Sequence, residues 1–152
     1  MSRWPLPDPM ARALAEAEKA VAAGEVPIGA VIMRDGKLLS AAHNAPRTLH
    51  DPTAHAEVLA IREAARILGN ERLDGCELWV TLEPCAMCAG AISHARIGRL
   101  VFGATDPKGG AVVSGPRFFE QPTCHWKPEV RGGVLAEESA TMLQEFFRAR
   151  RR

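Results

Sequence analysis

Apolar positions along the chain switch between helical and strand periods, with turn residues at the changes. The alanine-rich stretch 9–23 has Asp8 before it, Pro9 in its first turn and Gly24 past its end, which predicts a helix. P-I-G-A-V-I-M-R, 27–34, reads as a strand, and Asp35-Gly36 supplies a two-residue turn into K-L-L-S-A-A-H-N. The pair is expected to be antiparallel. Asp51-Pro52-Thr53 predicts a second helix start with Thr53 as its cap, and Val58, Leu59, Ile61, Ala65 and Leu68 then recur at helical spacing until Gly69. E-L-W-V-T-L, 77–82, is a short apolar strand, after which Pro84 opens a buried helix over C-A-M-C-A-G-A-I-S-H. R-L-V-F-G-A, 99–104, is another strand. Residues 105–128 have no clear period and read mainly as loop, V-R-G-G-V, 130–134, as an edge strand, and 136–150 as a last helix with Ala140, Leu143, Phe146 and Phe147 on its apolar stripe.

Helices alternating with strands around a hairpin predict an α/β layered architecture. At 152 residues, one domain spanning 1–152 is the expectation, and 47% hydrophobic with 24% charged residues is ordinary for a globular chain. Tyr is absent and Phe and Trp are few, so aliphatic packing must dominate the core. The net charge of +1 excludes no class of partner, but Arg148, Arg150, Arg151 and Arg152 close the chain. That tail is either a solvated helix end, where cations are favoured, or a phosphate-binding element. Cys76, Cys85, Cys88 and Cys124 do not make a secreted disulfide framework in a chain of this length. The first ten residues lack the apolar run of a signal peptide, and no segment reaches the ~18 apolar residues of a membrane span. A cytoplasmic protein with no membrane partner is expected.

Two blocks carry candidate chemistry: T-A-H-A-E at 53–57 and T-L-E-P-C-A-M-C at 81–88. Cys85 and Cys88, three apart at a helix start, share one face, and the helix dipole favours their thiolates. Two thiolates do not complete a zinc site, and His55 is the natural third ligand. Three protein ligands and one open position describe a catalytic zinc. Residues two apart on a helix point about 200° apart, so Glu57 is expected beside a water at the metal, as a proton carrier, and not as a fourth ligand. Alternatives remain at this point: a redox C-x-x-C, or a closed structural zinc completed by Cys124-His125, which would leave His55 and Glu57 unexplained.

H-A-E followed by P-C-x-x-C is the signature of zinc nucleobase deaminases. Beyond it, N-x-P at Asn44 and Pro46, H-D-P-T-A-H-A-E at 50–57, V-T-L-E-P-C-A-M-C-A-G-A-I at 80–92, R-I-G-R-L-V-F-G-A at 96–104 and the ending F-F-R-A-R-R closely resemble bacterial tRNA-specific adenosine deaminases. The resemblance runs from about Glu25 to the C-terminus. It implies a three-layer α/β/α cytidine-deaminase-like fold with a central mixed five-stranded sheet, a homodimer, one zinc ion per subunit, and conversion of the wobble adenosine of a tRNA anticodon, an arginine tRNA, to inosine. By matching motif, His55, Cys85 and Cys88 bind zinc and Glu57 shuttles protons. Asn44, Val26, Pro27 and the backbone of Ala56 meet the base. Asp106 meets a neighbouring ribose, and Phe147, Arg148 and Arg151 lie where the terminal helix approaches RNA.

Each RNA contact has a plainer reading. Asn44 also suits a turn after a strand, Val26 and Pro27 an ordinary core, and Asp106-Pro107 a loop turn. Residues 110–127 depart from the family pattern and are expected to shape an RNA groove or narrow the pocket mouth. His125 and Trp126 either stack on a base or pack. Related deaminases of free guanine, adenine, cytosine or nucleosides share the zinc residues, so substrate choice must lie in the pocket walls. A zinc-stabilised RNA-binding scaffold is the non-enzymatic alternative, which Glu57 and the missing fourth ligand argue against.

Overall fold

The structure, a computed structural model, describes residues 9–150. Its helices are α1 (Pro9–Ala22), α2 (Pro46–Leu49), α3 (Ala56–Leu68), α4 (Ala86–Ala95) and α5 (Ala136–Arg150), with strands β1 (Gly29–Arg34), β2 (Lys37–His43), β3 (Cys76–Leu82), β4 (Arg99–Ala104) and β5 (Glu129–Arg131). The strands form one sheet in the order β2-β1-β3-β4-β5. β1 runs antiparallel to both β2 and β3, whereas β3–β4 and β4–β5 are parallel, so the sheet is mixed. Asp35 and Gly36 both have positive φ, 52° and 76°, as the tight turn between right-twisted strands requires.

Strand alternation sorts the core into two layers. Ala30, Ile32, Leu78, Val80, Leu100 and Phe102 face one side and pack with Ala56, Ala60 and Ala64 of α3 and Ala89 and Ile92 of α4. Val31, Met33, Trp79 and Val101 face the other, against Met10 and Ala13 of α1 and the approach to α5. The alanines on α1, α3 and α4 let helix backbones sit close to the sheet. Gly29 takes this furthest: a Cβ there would lie 1.9 Å from the Ala13 carbonyl oxygen and 2.7 Å from the Ala17 nitrogen.

The hairpin, the edge strand and the main helices follow the sequence expectations, with three corrections. Thr53 does not cap α3. Its amide and hydroxyl both donate to Asp51 Oδ1, at 2.9 and 2.8 Å, in a turn of their own, and His55 is the cap residue, with extended backbone. β1 starts at Gly29 and not at Pro27, because Pro27 has no N–H to pair and the Ile28 amide turns back on the Val26 carbonyl at 2.8 Å. β5 stops at Arg131, because Gly132 lies against the Phe102 ring, where any Cβ would come within 2.4 Å. Residues 105–128 hold only a 3-10 turn, Phe118–Glu120, yet Val112 and Phe119 are buried in the α3/α4 core layer.

The topology gathers the candidate residues at one end of the sheet. β2, β3 and β4 all finish there, leading into Asn44, Glu83–Cys85 and Asp106, and antiparallel β1 begins there, after Val26 and Pro27. Ligands of open α/β sheets favour such a crevice at strand carboxyl ends.

The close approach of α1 to β1 is open to test. Gly29→Ala should destabilise the fold by about 3 kcal/mol, the upper end of the usual overpacking cost, because helix backbone cannot swing aside as a side chain can. Urea unfolding measures this, and a change below ~0.5 kcal/mol would show that α1 rides freely on the sheet.

Candidate metal centre and substrate cleft

His55 and Cys85 each stand one residue before a helix, as the caps of α3 and α4, both in extended conformation. Cys88 follows in the first turn of α4 and is buried. His55 Nδ1 lies 3.6 Å from Cys85 Sγ and 3.5 Å from Cys88 Sγ, and the three ligand atoms lie within 4.8 Å of one another. Bonds of about 2.3 Å to sulfur and about 2.05 Å to nitrogen at a tetrahedral angle put S and N about 3.6 Å apart. The donor set therefore fits zinc in both chemistry and spacing. Cys124 and His125 are not in this group, so the closed structural alternative fails.

His55 and Glu57 do not diverge by helix rotation, as their spacing suggests, because His55 lies outside the helix. Glu57 is nonetheless kept from the metal by another route: the ligand group contains His55, Cys85 and Cys88 without it. Glu57, in the first turn of α3, is 4% exposed and within hydrogen-bonding reach of the Cys88 thiol. Burial pushes its carboxyl up to about 7, and the Cys85 thiolate adds to this, against its own amide and the His55 ring. In the metal-free chain the Cys88 thiol donates to Cys85 and, with His55, holds the Cys85 thiol down to about 4 despite burial. The same hydrogen bond, with burial and Glu57, pushes Cys88 up. The Cys85 partner in turn raises the His55 ring. Both thiols stand at the start of α4, where the helix dipole favours a thiolate.

Around this centre the predicted residues separate. Asn44 is buried, its backbone N–H donating to Ile28 O at 2.9 Å, and the Ala45 backbone N–H donates to Ala54 O at 3.0 Å, which ties this segment to the chain entering His55. Ala56 is fully buried in the first turn of α3. Val26, Asp106 and Phe147 line one cleft of about 380 Å3 with Leu82, Ala104 and Leu143, and Phe147 is 43% exposed at its rim. Pro27 is buried beside that cleft and does not line it. Arg148 is exposed on the last turn of α5 and lies outside the cleft lining, while Arg151 lies outside the described residues. The Trp126 indole donates to Ile97 O at 2.8 Å with Arg96 over its ring, which makes it packing surface at the end of α4. A roomier groove of about 630 Å3 between α1 and α5 is lined by Glu18, Glu137, Glu138 and Glu145 and lies away from the ligands.

Three features escape a reading of the sequence. The short α2, led by Pro46, follows Asn44 directly. Glu25 is buried and accepts from the Thr48 amide and hydroxyl, at 2.6 and 2.7 Å, and from the Arg47 amide at 3.3 Å, so it anchors α2. Glu83, within T-L-E-P-C, is 3% exposed and accepts five hydrogen bonds from residues 106–114. An acid between an apolar strand and a proline is the available signal.

A profile of MafB19-like deaminases matches residues 7–151. The tRNA-specific adenosine deaminase of Agrobacterium fabrum is 57% identical over 142 residues, 93% of this chain and 93% of that one. The chain belongs to the tRNA-specific adenosine deaminase family. A solved structure from work on A-to-I editing by tRNA:A34 deaminases superposes with a TM-score of 0.88 at 57% identity, covering 89% of this chain and 98% of that chain. The guanine deaminase of Bacillus subtilis, 33% identical, superposes at 0.64 over 94% of this chain and 91% of its own. The family's three-layer arrangement, with a mixed five-stranded sheet between helices, is the one seen here.

Metal analysis of the purified protein should give about one zinc per chain, since three protein ligands and an open position suit that ion. His55→Ala and Cys88→Ser should each bring the content near zero. Retention of stoichiometric zinc by either variant would mean that the ligands lie elsewhere.

Proposed function

We propose that this chain is a zinc-dependent hydrolytic deaminase that converts the wobble adenosine of a tRNA anticodon to inosine and releases ammonia. The convergence of His55, Cys85 and Cys88 with a buried carboxyl alongside carries the chemistry. The substrate follows from the 57% identity to a tRNA-specific adenosine deaminase over nearly the whole chain.

When bound, zinc supplies the Lewis acidity that makes water a competent nucleophile near neutral pH. Glu57 manages the protons. Its carboxylate takes one from the water as oxygen adds to C6 of adenine, and its carboxylic acid gives that proton to the ring nitrogen N1. The second proton leaves through the same carboxyl to the departing amine, so adenosine and water become inosine and ammonia. Its place suits it to this: the carboxyl is buried in the first turn of α3 within hydrogen-bonding reach of Cys88, beside the ligand group. Asn44, the backbone of Ala56, and Val26 and Pro27 are assigned to the base, and Asp106 to the 2′-hydroxyl of a flanking ribose. An anticodon-loop base is already unpaired, so splaying it into a pocket costs less than flipping it from a duplex.

Phe147, Arg148 and Arg151 are assigned to RNA along the α5 end, an arginine-tRNA anticodon stem-loop being the partner. Arg150 supports the assignment: it stacks over Phe146 at 4.7 Å and donates to Gly24 O at 2.8 Å, which holds a guanidinium one turn beyond Phe147. The further assignments are one domain across 1–152, a homodimer, and a cytoplasmic location. Met87, exposed in the first turn of α4 between Cys85 and Cys88, leaves apolar surface that a second subunit would cover. No helix among the described residues is long and apolar enough to cross a membrane.

Deamination assays on the zinc-loaded protein compare a wobble-adenosine stem-loop with free adenine, adenosine, guanine and cytosine. Inosine in the RNA with the small molecules untouched is the expected result. Turnover of free guanine alone would overturn the substrate and favour the activity of the Bacillus subtilis neighbour. Glu57→Gln should keep its zinc and lose about 10²–10⁴-fold in kcat, the usual contribution of a positioned acid/base. Removing residues 148–152 should weaken stem-loop binding and flatten its salt dependence, by about 0.7 in log–log slope for each phosphate no longer neutralised. An unchanged slope would return that tail to a solvated helix end.

A further inference from the structure

Glu83 lies between the strand that ends at Leu82 and the cap of the metal-bearing helix, yet its side chain turns toward the loop after β4. Oε1 accepts from the Asp106 amide at 2.8 Å and from the Ser114 hydroxyl at 2.9 Å. Oε2 accepts from three successive amides, Val112, Val113 and Ser114, at 3.0, 2.8 and 2.9 Å. The adjoining Pro84 carbonyl accepts from Ala111 at 2.9 Å. Gly110 is pressed between the two: a Cβ there would lie 2.5 Å from Glu83 Cδ and 2.6 Å from the Asp106 carbonyl oxygen. One carboxylate thus organises a loop that has no strand or long helix of its own.

The loop it organises borders the cleft of Val26, Asp106 and Phe147. Asp106 lines that cleft opposite Phe147, and its Oδ1 accepts from the Lys108 and Gly109 amides at 3.2 and 3.1 Å. Oδ2 has no partner among the described residues and is the oxygen left for a ligand. The position of Asp106 relative to Cys85 is set through two links: its own amide on Glu83, and the short chain from Glu83 to Cys85.

We propose that Glu83 is a positioning residue for substrate: it locks the loop 106–114, whose first residue Asp106 lines the cleft, to the start of the metal-bearing helix, and so fixes where the nucleotide beside the target base sits. The inference rests on the reading of the cleft as the site of an RNA strand. A wall remote from the reacting carbon contributes binding common to ground and transition states, so its loss shows in KM and leaves kcat alone.

Glu83→Gln is a selective probe. The glutamine oxygen is drawn to the three amides now on Oε2, and its NH2 then occupies the place of Oε1. The Ser114 hydroxyl can rotate to accept from it, but the Asp106 amide cannot, so the bond to Asp106 is the one that breaks. Steady-state kinetics on a wobble-adenosine stem-loop should show KM raised about tenfold, with kcat and zinc content within about twofold of the parent. Gly110→Ala pushes the loop off the carboxylate from the other side and should reproduce that pattern, which keeps the test decisive if Glu83→Gln does not fold. Adding Asp106→Ala to Glu83→Gln should raise KM no further than Asp106→Ala alone, because both act through one interaction.

An unchanged KM in Glu83→Gln, or in Gly110→Ala where the former does not fold, would overturn the proposal. So would a fall in zinc content or kcat without a change in KM, since that is a structural role at the metal helix. If Asp106→Ala alone leaves KM unchanged while Glu83→Gln and Gly110→Ala raise it, the ribose assignment of Asp106 fails. The positioning role then stands, exerted through the loop backbone.

Discussion

The metal ligands sit where helices begin, and much of the site depends on that constraint. His55 and Cys85 are cap residues in extended conformation, so each side chain projects past the open amides of its own helix. Two helix N-termini converging on one point make a positive environment, and unpaired anions suit such a place. The sheet enforces the convergence: α3 and α4 pack side by side on one face through Ala56, Ala60, Ala64, Ala89 and Ile92. Small residues there bring the helix starts close enough for sulfur and nitrogen to lie 3.5–3.6 Å apart.

Two buried glutamates near this centre show how one side chain serves opposite ends. Glu57 is enclosed with few donors, so in the metal-free chain burial dominates and pushes its carboxyl up to about 7. Burial acts on Glu83 in the same direction, but amides from Asp106, Val112 and Val113 with the Ser114 hydroxyl outweigh it and hold the carboxyl below its usual range. A carboxylate that stays ionised is a strong fixed acceptor, suited to holding a loop. One with few fixed partners is left free to exchange a proton. Donor count around the oxygens separates the two roles.

That distinction also marks what can be read from the sequence. The helices and strands are legible because their periods are strong, and the metal ligands because C-x-x-C behind a proline and H-A-E have few other uses together. The cap of α3 is misplaced by spacing alone because Asp51 takes the hydroxyl of Thr53, a competition that spacing does not reveal. The resemblance names Val26, Asp106 and Phe147 from three distant segments, and the fold brings them around one cleft. It does not do so for Arg148, which lies outside the lining, and Arg151 is beyond the described chain. Glu25 and Glu83 escape notice because their partners are backbone amides 22–31 residues away, and such amides leave no mark in residue identities.

Residues 105–128 are the least legible stretch, and the proposed substrate contact Asp106 lies at their start. The guanine deaminase neighbour shares the layered fold at 33% identity, so the sheet and its helices do not by themselves separate a free base from an RNA strand. Discrimination has to come from groups that meet the flanking nucleotide and cost binding when it is absent. A loop can do this only if its backbone is held, since ordering a mobile wall would cancel in entropy the binding that the wall provides. Here the first half of the loop is held by one carboxylate, and the second by Phe118 and Phe119 packing toward α4 and by Trp126 closing on Ile97. The irregular segment is therefore fixed to the chain that flanks α4, at Glu83 before it and at Ile97 after it. Asp106 and the ligand group of His55, Cys85 and Cys88 thus share the chain around that helix as a common reference, and the distance between them is set by the fold itself.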